Sequence, residues 1–180
     1  MASAIRFTSF PRTEPPPSFV PVVVDLFRDK EHRISSEQLE KGLTSDAVLS
    51  ALCDGLVSLG FEVEQGKSHG DTIERPVFYG ENGIPTLKYQ VDAYHAQWRC
   101  GLEVEAGRAW MGNAVYRDIV QALVMGQVDH LCLAVANTYK YKSGGRSQSS
   151  ADYLNAVAVA DALYAHSRIL MPYRLTIIGY

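Results

Sequence analysis

Apolar residues recur at two different spacings along this chain, and the spacings divide it into helices and strands. Val48, Leu52, Leu56 and Leu59 repeat at helical intervals between a capping Thr44 or Ser45 and a stopping Gly60, which predicts a helix over 44–60. Val115, Ile119 and Leu123 repeat the pattern after Asn113 and before Gly126, predicting a second helix over 113–126. A third amphipathic stretch, 151–168, predicts a last helix, and "SSEQLEKGL" (35–43) predicts a short capped one. "SFVPVVVDLFRD" (18–29) fits a strand or a short helix equally well.

Strict alternation marks the strands. In "FEVEQ" (61–65), Phe61 and Val63 alternate with glutamates, and "RPVFYG" (75–80) reads as a short strand in a turn-rich segment. "TLKYQVDAYHAQW" (86–98) and "RCGLEVEAGRAW" (99–110) both alternate and read as the two arms of a hairpin turning about Gln97–Trp98. "HLCLAVANTY" (130–139) is nearly continuous in apolar residues, as a strand buried on both faces would be, and 173–180 is a last strand. The polar, Gly/Ser-rich 140–150 reads as a basic loop, and the Pro-rich 1–17 as an extended arm. The expected class is α/β. One domain over 18–180 would carry a mixed central sheet flanked by helices, in the order helix, three strands, helix, strand, with an extra C-terminal helix and strand.

Composition narrows the functions. A chain of 180 residues with 47% apolar content can bury one sizeable core. Seventeen basic against 20 acidic residues give a net charge of −3, so a nucleic-acid contact would have to come from a local basic patch rather than from overall charge. Cys53, Cys100 and Cys132 are too scattered for a zinc site and odd in number for a disulfide framework, which fits reduced thiols in a cytoplasmic protein. No apolar run is long enough to span a membrane, and the N-terminus has no signal-peptide block. His69, His95 and His130 share no ligand spacing.

The alternation of "LEVEAGRA" (102–109) raises the chemical question. Leu102, Val104 and Ala106 take one face of the strand, Glu103 and Glu105 the other. With the turn at Gln97–Trp98, paired residue numbers sum to 195, which sets Asp92 opposite Glu103. Opposed residues of an antiparallel pair have Cβ atoms about 4.5–5.5 Å apart. Carboxylates that close repel unless a cation lies between them or one is protonated. The oxygens of Asp92, Glu103 and Glu105, and the carbonyl of Val104, suit Mg²⁺ or Mn²⁺ better than zinc. The alternative is a solvated acidic sheet face with lysines nearby.

The stretch "VDAYHAQWRCGLEVE" resembles the PD-(D/E)xK phosphodiesterase superfamily, to which restriction endonucleases belong: Asp92, a ten-residue gap, then Glu103-Val104-Glu105. The family core of helix, three antiparallel strands, helix and strand resembles the order read over 44–139. The chain departs from the pattern in having Val91 before Asp92 and Glu105 where a lysine is usual; an E-x-E form also occurs in the family. "GFEVEQGKS", "FYGENG" and "EVEAGRAWMGNAVYRDI" are similar to a bacterial branch of the superfamily, a branch that brings no substrate assignment.

The resemblance implies Mg²⁺- or Mn²⁺-dependent hydrolysis of phosphodiester bonds, with DNA as the substrate and RNA as the alternative. Asp92 and Glu103 would hold the ion, and Glu105 would bind a second ion or orient water. Glu64 would add a carboxylate from the neighbouring strand, and Lys67 would offset phosphate charge. Arg108, Arg117 and Gln121 would contact the nucleic-acid backbone, and Lys140, Lys142 and Arg146 would clamp it. For Arg117 and Arg108, ion pairing with Asp118 or the acidic cluster is the competing role. A twofold dimer would suit duplex DNA. Two rival functions stand beside this one: a catalytically inactive module of nuclease fold that binds nucleic acid or a protein, and a glycoside hydrolase with paired acids.

Overall fold

The helix expected over 44–60 forms as Ser45–Leu59, with the Thr44 hydroxyl accepting from the Ala47 N–H at 3.3 Å and Gly60 closing it at φ 98°. It is the third helix, α3, of a computed structural model that describes residues 3–39, 42–66, 71–107 and 109–180. The ambiguous segment becomes helix α1 (Phe19–Asp29), which buries Val20, Val23, Val24 and Phe27. Pro21 sits in its first turn, where a missing N–H costs no helical bond.

The capped helix expected over 35–43 is not there among the described residues. A single turn, α2 (Glu31–Ile34), precedes it, and 36–39 forms turns and a bend. The serines are spent elsewhere: the buried Ser36 hydroxyl donates to the Tyr180 carbonyl and accepts from the Thr138 N–H, and Ser35 accepts from the Gln38 N–H. Short hydroxyl side chains compete with helix formation in this way.

The central sheet has six strands: β1 (Arg6–Phe10), β2 (Glu62–Val63), β5 (Ala93–His95), β6 (Cys100–Glu105), β7 (His130–Val135) and β10 (Arg174–Gly179). Their order is β1-β10-β7-β6-β5-β2. β6, β7 and β10 run parallel, while β1, β5 and β2 pair antiparallel with their neighbours. The arm expected over 1–17 is therefore extended in part as an edge strand of the sheet. All six residues of β7 are buried, as expected for a parallel strand covered on both faces. One face packs Leu102, Val104, Cys132 and Ala134 on α1 and α3. The other packs Leu131, Leu133 and Val135 on α4 (Ala114–Val124) and α5 (Asp152–Ala165). No helix among the described residues is long and apolar enough to cross a membrane.

The sheet register follows the expected sum: Ala93 pairs with Leu102, Tyr94 with Gly101 and His95 with Cys100. The first arm, however, is not one strand. It breaks at Asp92, and its earlier part, β4 (Pro85–Val91), pairs with β3 (Ile73–Tyr79) in a separate hairpin. The expected strand over 130–139 ends at Val135. The expected basic loop is a hairpin of β8 (Tyr139–Ser143) and β9 (Arg146–Ser150). Gly144 and Gly145, at φ 56° and 76°, make its two-residue turn, a conformation that glycine adopts without steric cost.

Candidate functional site

The alternation of β6 decides which side chains reach the site. With Leu102 and Val104 committed to the α1/α3 face, Glu103 and Glu105 point to the face covered by α4. Glu103 is 8% exposed. Asp92 stands at the bend between β4 and β5, and its Oδ2 accepts from the Val104 N–H at 2.8 Å. Glu64, directly after β2, is tied to the same bend by its N–H, which donates to the Asp92 carbonyl at 2.8 Å. From above, α4 contributes Arg117, Asp118 and Gln121. Asp92, Glu103, Glu64, Arg117, Asp118 and Gln121 line one cleft of about 480 Å³. Its outer wall is the β3–β4 hairpin, where Lys88 donates to Glu74 at 2.8 Å.

Burying acids together makes their charge expensive. Burial, reinforced by the charges of Asp92, Asp118 and Glu105, pushes the Glu103 carboxyl well above its ordinary range. Burial pushes Asp92 up to about 6 against the opposing bond from Val104, with Glu64 and Glu105 adding to the rise. Burial and the charge of Glu105 push Asp118 up to about 7, and Arg117 only partly counters them. Arg117 supplies counter-charge to two acids: its Nη2 lies 2.6 Å from Glu105 Oε1 and 2.9 Å from Asp118 Oδ1. Asp118 Oδ2 is buried and has no hydrogen-bond partner among the described residues.

Of the residues expected in the site, Asp92, Glu103, Glu64, Arg117 and Gln121 come together in the cleft, and Glu105 joins them through Arg117. Val104 buries its side chain in the core and gives its N–H to Asp92. Lys67 and Arg108 lie outside the described residues. Lys140, Lys142 and Arg146 are on the β8–β9 hairpin rather than among the residues lining the cleft. There Lys140 donates to the Leu39 carbonyl at 2.9 Å, and the Tyr139 and Tyr141 rings stack at 5.5 Å.

The other candidates are structural. His95 bonds the Leu59 carbonyl and the Trp98 N–H, His130 bonds the Thr176 hydroxyl, and the Cys100 and Cys132 thiols are buried 3.7 Å apart. His69 lies outside the described residues. Three charged residues of the cleft, Glu74, Lys88 and Asp118, were not expected there from the sequence. Asp118 read only as a partner for Arg117. The helical step from Asp118 to Gln121 was the one signal that could have placed Asp118 in the cleft.

No protein-family model matches the chain, and no curated protein matches it at a significant level. What the cleft can do is read from its own atoms. The donors are all hard oxygens, without cysteine or histidine, which suits Mg²⁺ or Mn²⁺. Among the described residues, no three His, Cys, Asp or Glu side chains are gathered as ligands, and Arg117 engages Glu105 and Asp118. The orphaned Asp118 Oδ2 and the clustered acids leave unmet demand for positive charge, which a divalent ion would satisfy.

Proposed function

We propose that this protein hydrolyses phosphodiester bonds of DNA with Mg²⁺ or Mn²⁺, as a member of the restriction-endonuclease-like class. The observation that carries the reading is the shared cleft of Asp92 and Glu103, two acids from opposite arms of a hairpin that burial and the charges of neighbouring acids push upward from the ordinary carboxylate range. The succession α3, β2, β5, β6, α4, β7, with β3–β4 inserted, supports the class. Asp92 and Glu103 are the residues that would hold the ion, with Glu64 beside them. Bound there, the ion supplies Lewis-acid stabilisation of the phosphate and makes an attacking water more acidic.

The protein's own side chains do the rest. Glu105 accepts a proton or orients the nucleophile, and its 2.6 Å bond to Arg117 fixes the carboxylate within reach of the cleft. Arg117, 57% exposed at its side chain, and Gln121 face an incoming phosphate at the cleft mouth. Lys142 and Arg146, exposed on the β8–β9 hairpin, add charge for the flanking backbone.

A second reading, a catalytically inactive module of the same fold, is favoured by the engagement of Arg117 with Glu105 and Asp118, which satisfies two acids without a metal. Supercoiled plasmid, single-stranded DNA and RNA incubated with Mg²⁺ or Mn²⁺ separate the two. The hydrolytic reading requires nicking by the wild-type protein that Glu103→Gln and Asp92→Asn abolish. Binding of DNA with no cleavage under either ion would leave the module.

A further inference from the structure

One nitrogen of Arg117 touches two carboxylates. Nη2 lies 2.6 Å from Glu105 Oε1 and 2.9 Å from Asp118 Oδ1, so the separation of the two oxygens cannot exceed the sum of those lengths. A cation at the position of Nη2 would need to draw the oxygens in by about 0.5–0.9 Å to bond them at Mg²⁺–oxygen distances of about 2.0–2.1 Å. Asp118 has more to offer than the guanidinium takes. Arg117 Nε donates to Oδ1 and Nη2 lies 2.9 Å from the same oxygen, while Oδ2 is buried with no hydrogen-bond partner among the described residues. The Asp118 side chain is 1% exposed, so that oxygen is not hydrated at the surface.

We propose that Glu105 and Asp118 form a divalent-cation position beside the cleft, which the Arg117 guanidinium fills in the free protein and leaves for a phosphate group when ion and nucleic acid bind. The assignment rests on the phosphodiester reading and extends it to Asp118, a residue outside the Asp92/Glu103 pair.

Mg²⁺ and Mn²⁺ are commonly held by one or two carboxylates with water or substrate phosphate completing the shell, so two acids suffice here once the guanidinium is out of the way. Arg117 can make the exchange. Its side chain is 57% exposed, and it lines the cleft together with Gln121 and Lys88. A guanidinium also pairs with a phosphate as well as with a carboxylate, through the same planar fork. Moving Arg117 alone would strand the buried Asp118 charge, and bringing in an ion alone would set it against the guanidinium. The two movements are therefore linked: Arg117 hinders the ion in the free protein, and a phosphate that draws the guanidinium away favours it.

Mn²⁺ alone, titrated calorimetrically into wild type, Arg117→Gln, Asp118→Asn and the double variant, tests the assignment, with thermal melting to show that each is folded. Removing the internal cation should tighten Mn²⁺ binding by Arg117→Gln about tenfold, and the double variant should lose that gain. If Asp118→Asn fails to fold, the Arg117→Gln comparison decides by itself. Wild-type binding of Mn²⁺ that neither substitution alters would overturn this site while leaving the Asp92/Glu103 reading intact. Arg117→Gln binding more weakly than wild type would likewise overturn it. No binding by any variant, with or without a DNA duplex, would overturn both.

Discussion

The Asp92 carboxylate accepts from the Val104 N–H at 2.8 Å, which joins the bend in one arm of a hairpin to the backbone between the two glutamates of the other. The bond gives Asp92 a structural task besides its chemical one, and two substitutions separate them. Asp92→Asn keeps an oxygen acceptor for Val104. Its unfolding free energy in urea should stay within about 1 kcal/mol of wild type, while Asp92→Ala should lose about 1–3 kcal/mol. Both should lose plasmid nicking. Equal stability of the two variants would show that the bond contributes nothing.

The pH dependence of stability follows from the same cluster. Asp92, Asp118 and Glu103 all bind protons more tightly folded than unfolded, with Asp92 raised to about 6 and Asp118 to about 7. Their contribution is fully present below the unfolded carboxyl value of about 4 and is lost as pH rises through those folded values. Without divalent ions, stability should therefore fall between pH 5 and pH 7.5, roughly, and Asp118→Asn should flatten the decline. Thermal melting across that range checks it. A rise in stability over the same interval would contradict the protonated cluster.

Charge on the β8–β9 hairpin is predicted to act on DNA through the backbone. Lys142→Ala and Arg146→Ala should each reduce the slope of log affinity against log salt by about 1, with little dependence on DNA sequence. Fluorescence anisotropy with a labelled duplex at several salt concentrations measures it. An unchanged slope would remove the hairpin from the interface.

A substitution in β10, outside the residues that line the cleft, supplies a control. A Cβ added at Gly179 in β10 would collide with Asn137 Oδ1 and meet Tyr153 Cδ2 at 2.7 Å. Gly179→Ala should therefore cost about 1–3 kcal/mol by overpacking and leave Mn²⁺ affinity unchanged.

The helices 44–60 and 113–126 were legible because a single amphipathic face repeats in each, with a glycine near each end. The face shared by Glu103 and Glu105 was legible for a related reason: strand parity is rigid, and the turn at Gln97–Trp98 set the register found at Ala93 and Leu102. Partner choice was not legible. Alternation runs unbroken through 86–98, and nothing in it says that 85–91 pairs with β3 while 93–95 pairs with β6. That division is what turns Asp92 into a bend residue. Asp118 stayed hidden because its neighbour Arg117 offered a sufficient local partner, whereas its burial against Glu105 depends on how α4 crosses β6. Ser36 shows the opposite failure, a good helix-start residue taken up by a contact with Tyr180 at the far end of the chain.

The central claim is that buried acids from β6, the β4–β5 bend and α4 gather to hold a hard cation. A crystal soaked in Mn²⁺ and measured for anomalous scattering tests it most directly. The account predicts a peak in the cleft bounded by Asp92 and Glu103. A fully soaked crystal with no peak in that cleft, and Arg117 still bonded to Glu105 and Asp118, would contradict it.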